Sequence, residues 1–141
     1  DDGSFSKSGQ TAYIHGAAML VSRAVIEKTG LMDDTYFLYY EELDWCARAR
    51  RDGFGVWYVA ESEILHKESG STGEESALKV YYQTRNRILF IRRNSRSWQR
   101  LAGLLFFSFI ATPKNTLTYL LKMRWDYLQA FWRGITWNLT H

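Results

Sequence analysis

Cysteine is nearly missing from this chain: Cys46 is the only one among 141 residues. That excludes an internal disulfide framework, and a single thiol suits a reducing compartment. Proline is as scarce, with Pro113 alone. No apolar run reaches the roughly 20 residues of a spanning helix; "LAGLLFFSFIA" at 101–111 has about half of that. The polar opening "DDGSFSKSGQ" is not expected to be a signal peptide, so the sequon "NLT" at 138–140 is read as chance. Acid is missing from the rear of the chain. Residues 79–141 carry 11 Lys and Arg against one acid, Asp126, while residues 1–78 carry 7 against 14.

What is present is aromatic. Six Trp, nine Tyr and eight Phe are far too many for a disordered tail, and the length allows a single domain with a real core. An acidic front and a basic, aromatic rear imply two different jobs. The rear is also strongly apolar, and apolar residues fill the gaps between its arginines. That favours an anionic membrane surface over nucleic acid.

The elements follow from pattern and punctuation. Residues 1–10 read as loop. "AYIHGAAMLVS" (12–22) reads as a strand crossing a tight site at Gly16. Ser22 offers an N-cap to "RAVIEKT", and Gly30 stops that helix. "DDTYFLYY" leads into a second helix from about Glu41 to Asp52, stopped by Gly53. "GVWYVA" (55–60) reads as a strand, and "EILH" (63–66) as a short extended piece. "KESGSTGEES" (67–76) is a polar loop, with Thr72 and Glu75 at capping-box spacing before the next helix. From Ala77 the pattern is helical. In the last segment Asn115, Thr118, Lys122, Asp126, Gln129 and Arg133 form a polar stripe at steps of three and four, with Leu117, Leu120, Leu121, Leu128, Phe131 and Ile135 elsewhere on the wheel. This predicts an amphipathic helix lying in a membrane plane.

Glu41, Glu42 and Asp44 stand behind the run "YFLYY" at the start of the second helix. Acids in a first turn complement the helix dipole, and Asp44 can pair with Arg48 four residues on. Equally, a carboxylate desolvated behind Phe37, Leu38, Tyr39 and Tyr40 would have a raised pKa suited to a general base. His66 is either a structural histidine or one ligand of a metal site. The Ser/Gly/Thr loop after it offers hydroxyls and N–H groups to phosphate oxygens.

The pieces from "HGAAMLVSRAVIEKTG" through "YFLYYEELDWCARARRDG" and "ILHKESGST" to "YYQTRNRILFIRR", in this order and spacing, resemble the C-terminal, acceptor-binding half of family-2 glycosyltransferases. The likeness is to the bacterial rhamnosyltransferase-like members, over about residues 12–95. The resemblance implies an α/β, GT-A-type fold, here its C-terminal half at residues 1–76, followed by a basic helical region at 77–141. It implies inverting sugar transfer from a nucleoside-diphosphate sugar to an acceptor hydroxyl, such as a lipid-linked glycan in surface polysaccharide synthesis. Glu42 would be the base, with Glu41 the alternative, and Asp44 would orient the site or contact the acceptor. His66 would help bind Mg²⁺ or Mn²⁺ on the donor diphosphate, and Ser69 and Ser71 would approach that diphosphate. Gly16 would leave room for the sugar. Arg85 and Asn86 would either border the site or pack helices. The family's upstream, nucleotide-binding half is not recognisable in this sequence, so the chain is expected to be a fragment, inactive alone. The basic rear would rest peripherally on the cytoplasmic face of the membrane, or else pack against other protein or in a dimer. The rival expectation is a non-catalytic module that binds a membrane or partner through its basic helices.

Overall fold

The computed structural model describes residues 6–65 and 76–141. They contain β1 (Gly9–Gln10), α1 (Arg23–Thr29), α2 (Glu41–Arg51), β2 (Trp57–Tyr58) and α3 (Ala77–Asn94). Next come α4 (Ser97–Phe106), a π turn (Phe107–Ala111), α5 (Thr112–Leu121) and α6 (Trp125–Thr140). The described chain divides into two compact units: residues up to 37 with 41–65, and residues 38–40 with 76–141.

In the first unit, β1 and β2 pair antiparallel, with Gly9 opposite Tyr58 and Gln10 opposite Trp57. The Thr11 N–H continues the pairing by donating to the Val56 carbonyl at 2.9 Å. Among the described residues this is the whole sheet, so the α/β expectation reduces to two short strands among helices. The strand expected at 12–22 does not form. His15 Nδ1 accepts from the Ala17 N–H at 3.2 Å, and the Ala18 N–H donates to the His15 carbonyl. These local bonds turn the backbone at Gly16 and compete with a ladder. The strand expected at 55–60 shrinks to its central two residues for want of a longer partner.

Helices α1 and α2 lie where the punctuation puts them. Gly30 ends α1 at φ 80, and Gly53, at φ 94, closes α2. The latter end is a Schellman motif, with Gly53 N–H on the Arg50 carbonyl and Phe54 N–H on the Ala49 carbonyl. Ser22 takes the N-cap position of α1 without a side-chain bond. Polar ties join the two helix ends: Thr29 Oγ1 donates to Asp52 Oδ2 at 2.6 Å, and Trp45 Nε1 to the Gly30 carbonyl at 2.8 Å.

The second unit is helical. Ser76 caps α3, its hydroxyl accepting from the Lys79 N–H at 3.2 Å; Thr72 and Glu75 lie outside the described residues. Its core gathers Ile88, Phe107, Ala111 and Phe131. Gly134 lets α6 approach α3 closely, since a Cβ there would stand 2.9 Å from the Tyr81 carbonyl oxygen and 3.1 Å from the Arg85 nitrogen. Asn138 secures the same crossing by donating to the Arg85 carbonyl at 3.0 Å.

The helix that carries the apolar run 101–111 continues through Pro113. Proline lacks an N–H and crowds the carbonyl four residues back, and the preceding π turn, with Thr112 N–H on the Phe107 carbonyl, absorbs that conflict. One sequence expectation fails here: the single amphipathic helix expected over 115–135 is broken. Arg124 N–H bonds the Tyr119 carbonyl and Met123 N–H the Leu120 carbonyl, a Schellman end with Met123 left-handed at φ 52. No helix of the described residues is long and apolar enough to cross a membrane.

Candidate active site

The first turn of α2 brings three acids together, and they divide into two kinds. Asp44 is 2% exposed and turned inward. Its Oδ1 accepts from the Tyr36 hydroxyl at 3.1 Å and its Oδ2 from Arg48 Nε at 2.7 Å. Arg48 in turn donates to the Thr29 and Leu31 carbonyls, each at 2.8 Å. One charge pair therefore fixes the start of α2 against the end of α1. Charge-assisted bonds of this kind are short and strong because both partners are ionised.

Glu41 and Glu42 are the second kind. Both are half-buried, and among the described residues the Oε2 atom of each is buried with no hydrogen-bond partner. Buried polar atoms without partners are costly, and they recur where a structure is built to receive something. Burial pushes the Glu41 carboxyl above its ordinary range, against a lowering backbone bond; the Glu42 charge and a side-chain hydrogen bond with Glu42 raise it further.

The segment 14–16 lies on the face of α2 formed by Glu42 and Cys46, one helical turn apart. A Cβ built on Gly16 would meet Glu42 Cβ at 3.9 Å and Cδ at 4.0 Å, ordinary contact distances. Gly16 is thus beside Glu42, though on a turn rather than a strand. Cys46 is 5% exposed. Burial raises its thiol pKa, opposed by a backbone bond from Ile14, while Glu42 raises it further and Arg50 lowers it.

The aromatic run before these acids is not one wall. Tyr36 is fully buried against Asp44, whereas Phe37 is 72% exposed. Residues 38–40 belong to the second unit, where Asn86 Nδ2 donates to the Leu38 and Tyr39 carbonyls at 2.7 and 2.8 Å. Phe37, Tyr39 and Tyr40 are left-handed, with φ of 59, 64 and 74, a costly conformation for side chains of this bulk. Neither Tyr36 as the partner of Asp44 nor Asn86 as a clamp on two carbonyls was legible. Left-handed turns usually announce themselves by Gly or Asn, and this one is aromatic throughout.

Arg85 is 7% exposed within the second unit. Its guanidinium lies 4.6 Å from the Trp137 ring centre and 4.7 Å from that of Tyr82, and its Nε donates to Asn86 Oδ1 at 2.8 Å. These contacts pack Arg85 among aromatic rings of its own unit. His66, Ser69 and Ser71 lie outside the described residues. Among the described residues no group of three or more His, Cys, Asp and Glu side chains could hold a metal ion. The unpartnered Oε2 atoms of Glu41 and Glu42 supply two carboxylates and no third ligand, so these residues by themselves do not fit a metal site.

Comparison with known proteins places this geometry in context. Residues 3–90 match the family described as glycosyltransferase like family 2. A low-salt glycan biosynthesis hexosyltransferase of Haloferax volcanii is 35% identical over 78 residues, covering 55% of this chain and 25% of that protein. An N-acetylglucosaminyl-diphospho-decaprenol L-rhamnosyltransferase of Mycobacterium tuberculosis is 28% identical over 88 residues, 62% of this chain and 29% of its own. A dTDP-rhamnosyl transferase of Shigella flexneri is 28% identical over 131 residues, reaching 83% of this chain and 44% of its own. The chain thus spans between a quarter and less than half of the length of these curated relatives. No solved structure matches it at a significant level. A match of this kind fits a GT-A-like fold, and its extent, well over half of the sequence, is decisive: the chain belongs to glycosyltransferase family 2.

Proposed function

We propose that this protein supplies the acceptor side of an inverting glycosyltransferase of GT-A type. The enzyme would move a rhamnosyl or other hexosyl group from a nucleoside diphosphate to a hydroxyl of a lipid-linked glycan in surface polysaccharide synthesis, at the cytoplasmic face of a membrane. The observation that carries this reading is the half-buried Glu41–Glu42 pair, its Oε2 atoms without partners among the described residues, beside Gly16 and inside the family-matched segment.

Inverting transfer needs a base on the acceptor face. As the acceptor oxygen attacks the anomeric carbon, its proton passes to a carboxylate and the nucleoside diphosphate departs from the opposite side. Glu42 takes that proton. Glu41 stands beside Glu42, its carboxyl pKa raised above the ordinary range chiefly by burial. Gly16 leaves the space beside Glu42 open, and Asp44 holds the helix start through Tyr36 and Arg48. A divalent cation at the donor diphosphate, with His66, Ser69 and Ser71 nearby, belongs to this reading. Its part would be to stabilise the departing charge.

The test joins this chain to an upstream nucleotide-binding half and follows dTDP release from dTDP-rhamnose with a polyprenyl-diphospho-N-acetylglucosamine acceptor. Glu42→Gln should lower turnover about a thousandfold, whereas a change within about twofold would move the base to Glu41. The chain by itself should show no transfer, and robust transfer by it would refute that part of the reading.

A further inference from the structure

Helix α4, the π turn and α5 make one unbroken helical stretch from Ser97 to Leu121, roughly 37 Å long at the usual rise per residue. One side of it is committed to the core of its unit through Leu104, Phe107, Ala111 and Tyr119. Another side carries Leu101, Leu105, Phe109, Leu117 and Leu121, which are between 46% and 76% exposed. With Pro113 these positions recur at every fourth residue. In a straight α-helix a four-residue step drifts sideways by about 40°, so such a row would wind off its face. The π turn is wider than an α turn and takes back part of that drift. The row therefore winds less than it would on a straight α-helix.

Charge identifies the partner. Arg96 and Arg100 stand at one end, Lys122 at the other and Lys114 between, with no acid from 95 to 125; Arg124 is paired with Asp126 at 3.3 Å. Trp98 and Trp125, 70% and 60% exposed, flank the row. Tryptophan beside basic residues at both ends of an apolar stripe is the composition of the headgroup level of an anionic bilayer. Helix α6, to which the sequence pattern pointed, is differently committed. Its Tyr127, Ala130, Phe131 and Gly134 are buried, and Gly134 abuts the backbone of α3.

We infer that the Ser97–Leu121 helix is the membrane-binding element of this protein, lying in the plane of an anionic lipid surface with the Leu101–Leu121 row at the acyl boundary. This rests on the membrane part of the reading above and is independent of sugar transfer.

Vesicle flotation of the chain tests it without any substrate. Binding to phosphatidylcholine vesicles containing phosphatidylglycerol should exceed binding to pure phosphatidylcholine by at least roughly tenfold, and should weaken as salt rises. The double substitution Leu105→Glu/Phe109→Glu should abolish flotation, and Leu139→Glu on the exposed side of α6 should not. All three positions are exposed, and unchanged thermal melting confirms that each variant folds. As an independent arm, Arg100→Gln with Lys114→Gln should lose the preference for phosphatidylglycerol while leaving the apolar row intact. If the wild type floats and Leu105→Glu/Phe109→Glu floats equally well, the inference fails while the membrane reading survives. If the wild type binds neither vesicle, or Phe109→Glu turns a dimer into a monomer in sedimentation equilibrium, the membrane reading falls with it and sugar transfer is untouched. Equal binding to both vesicles would overturn the choice of an anionic surface.

Discussion

Each unit is held together internally by different physics. In the first, a few buried charges do the fastening: Asp44 to Tyr36 and Arg48, and Arg48 onward to the carbonyls that end α1. Its buried apolar residues are few, chiefly Tyr36, Trp45, Cys46, Ala49 and Val56. In the second, shape does the fastening, with Phe131 inside an aromatic cluster and Gly134 admitting the backbone of α3. The difference teaches where each unit is fragile. A hydrogen-bonded charge network fails when one member is removed, whereas a close helix crossing fails when a methyl group is added.

The largest effect should come from Asp44→Ala, which leaves the Arg48 guanidinium and the Tyr36 hydroxyl without their partner at low exposure. A loss of about 3 kcal/mol is expected in chemical denaturation. Amide exchange should rise first in α1 and α2, and an equal rise in α3 and α6 would break the comparison. Gly134→Ala comes next. The new methyl would press on backbone at 2.9 Å, a strain of about 2 kcal/mol, with faster exchange expected in α3 and α6. Loss of less than about 0.5 kcal/mol would show that the crossing is looser than drawn. The smallest effect is a gain. The folded Glu41 carboxyl titrates above its ordinary 4.5, so the folded protein binds more protons than the unfolded chain between those two values. Stability therefore falls as pH rises through that window. Glu41→Gln should raise the melting temperature at neutral pH, and the gain should vanish below pH 4.5; a gain that persists in acid would assign it to something other than the charge.

How much of this was legible depends on which residues carry the structure. Helices α1 and α2 were readable because Ser22 stands at the start of α1 and Gly30 and Gly53 end α1 and α2 in a left-handed conformation. The i,i+4 spacing of Asp44 and Arg48 also announced their ion pair. The break between α5 and α6 was not readable, because Met123 occupies a left-handed position that glycine would have advertised. Continuity through Pro113 was hidden for a similar reason: a π turn has no sequence signature. The turn at Gly16 defeated the strand reading because His15 and its neighbours satisfy the backbone locally. As for the candidate site, the acids themselves were visible. Their division into an inward Asp44 and a half-buried Glu41–Glu42 pair depends on Tyr36, whose hydroxyl finds its carboxylate only in the folded chain.

Cys46 has a practical consequence. It is the sole thiol of the chain, 5% exposed on the same face of α2 as Glu42, and its burial suppresses the thiolate. A thiol-reactive dye can reach it only through a local opening that exposes it. The labelling rate is therefore a built-in clock for the breathing of the candidate site, needing no tag and no knowledge of the sugar.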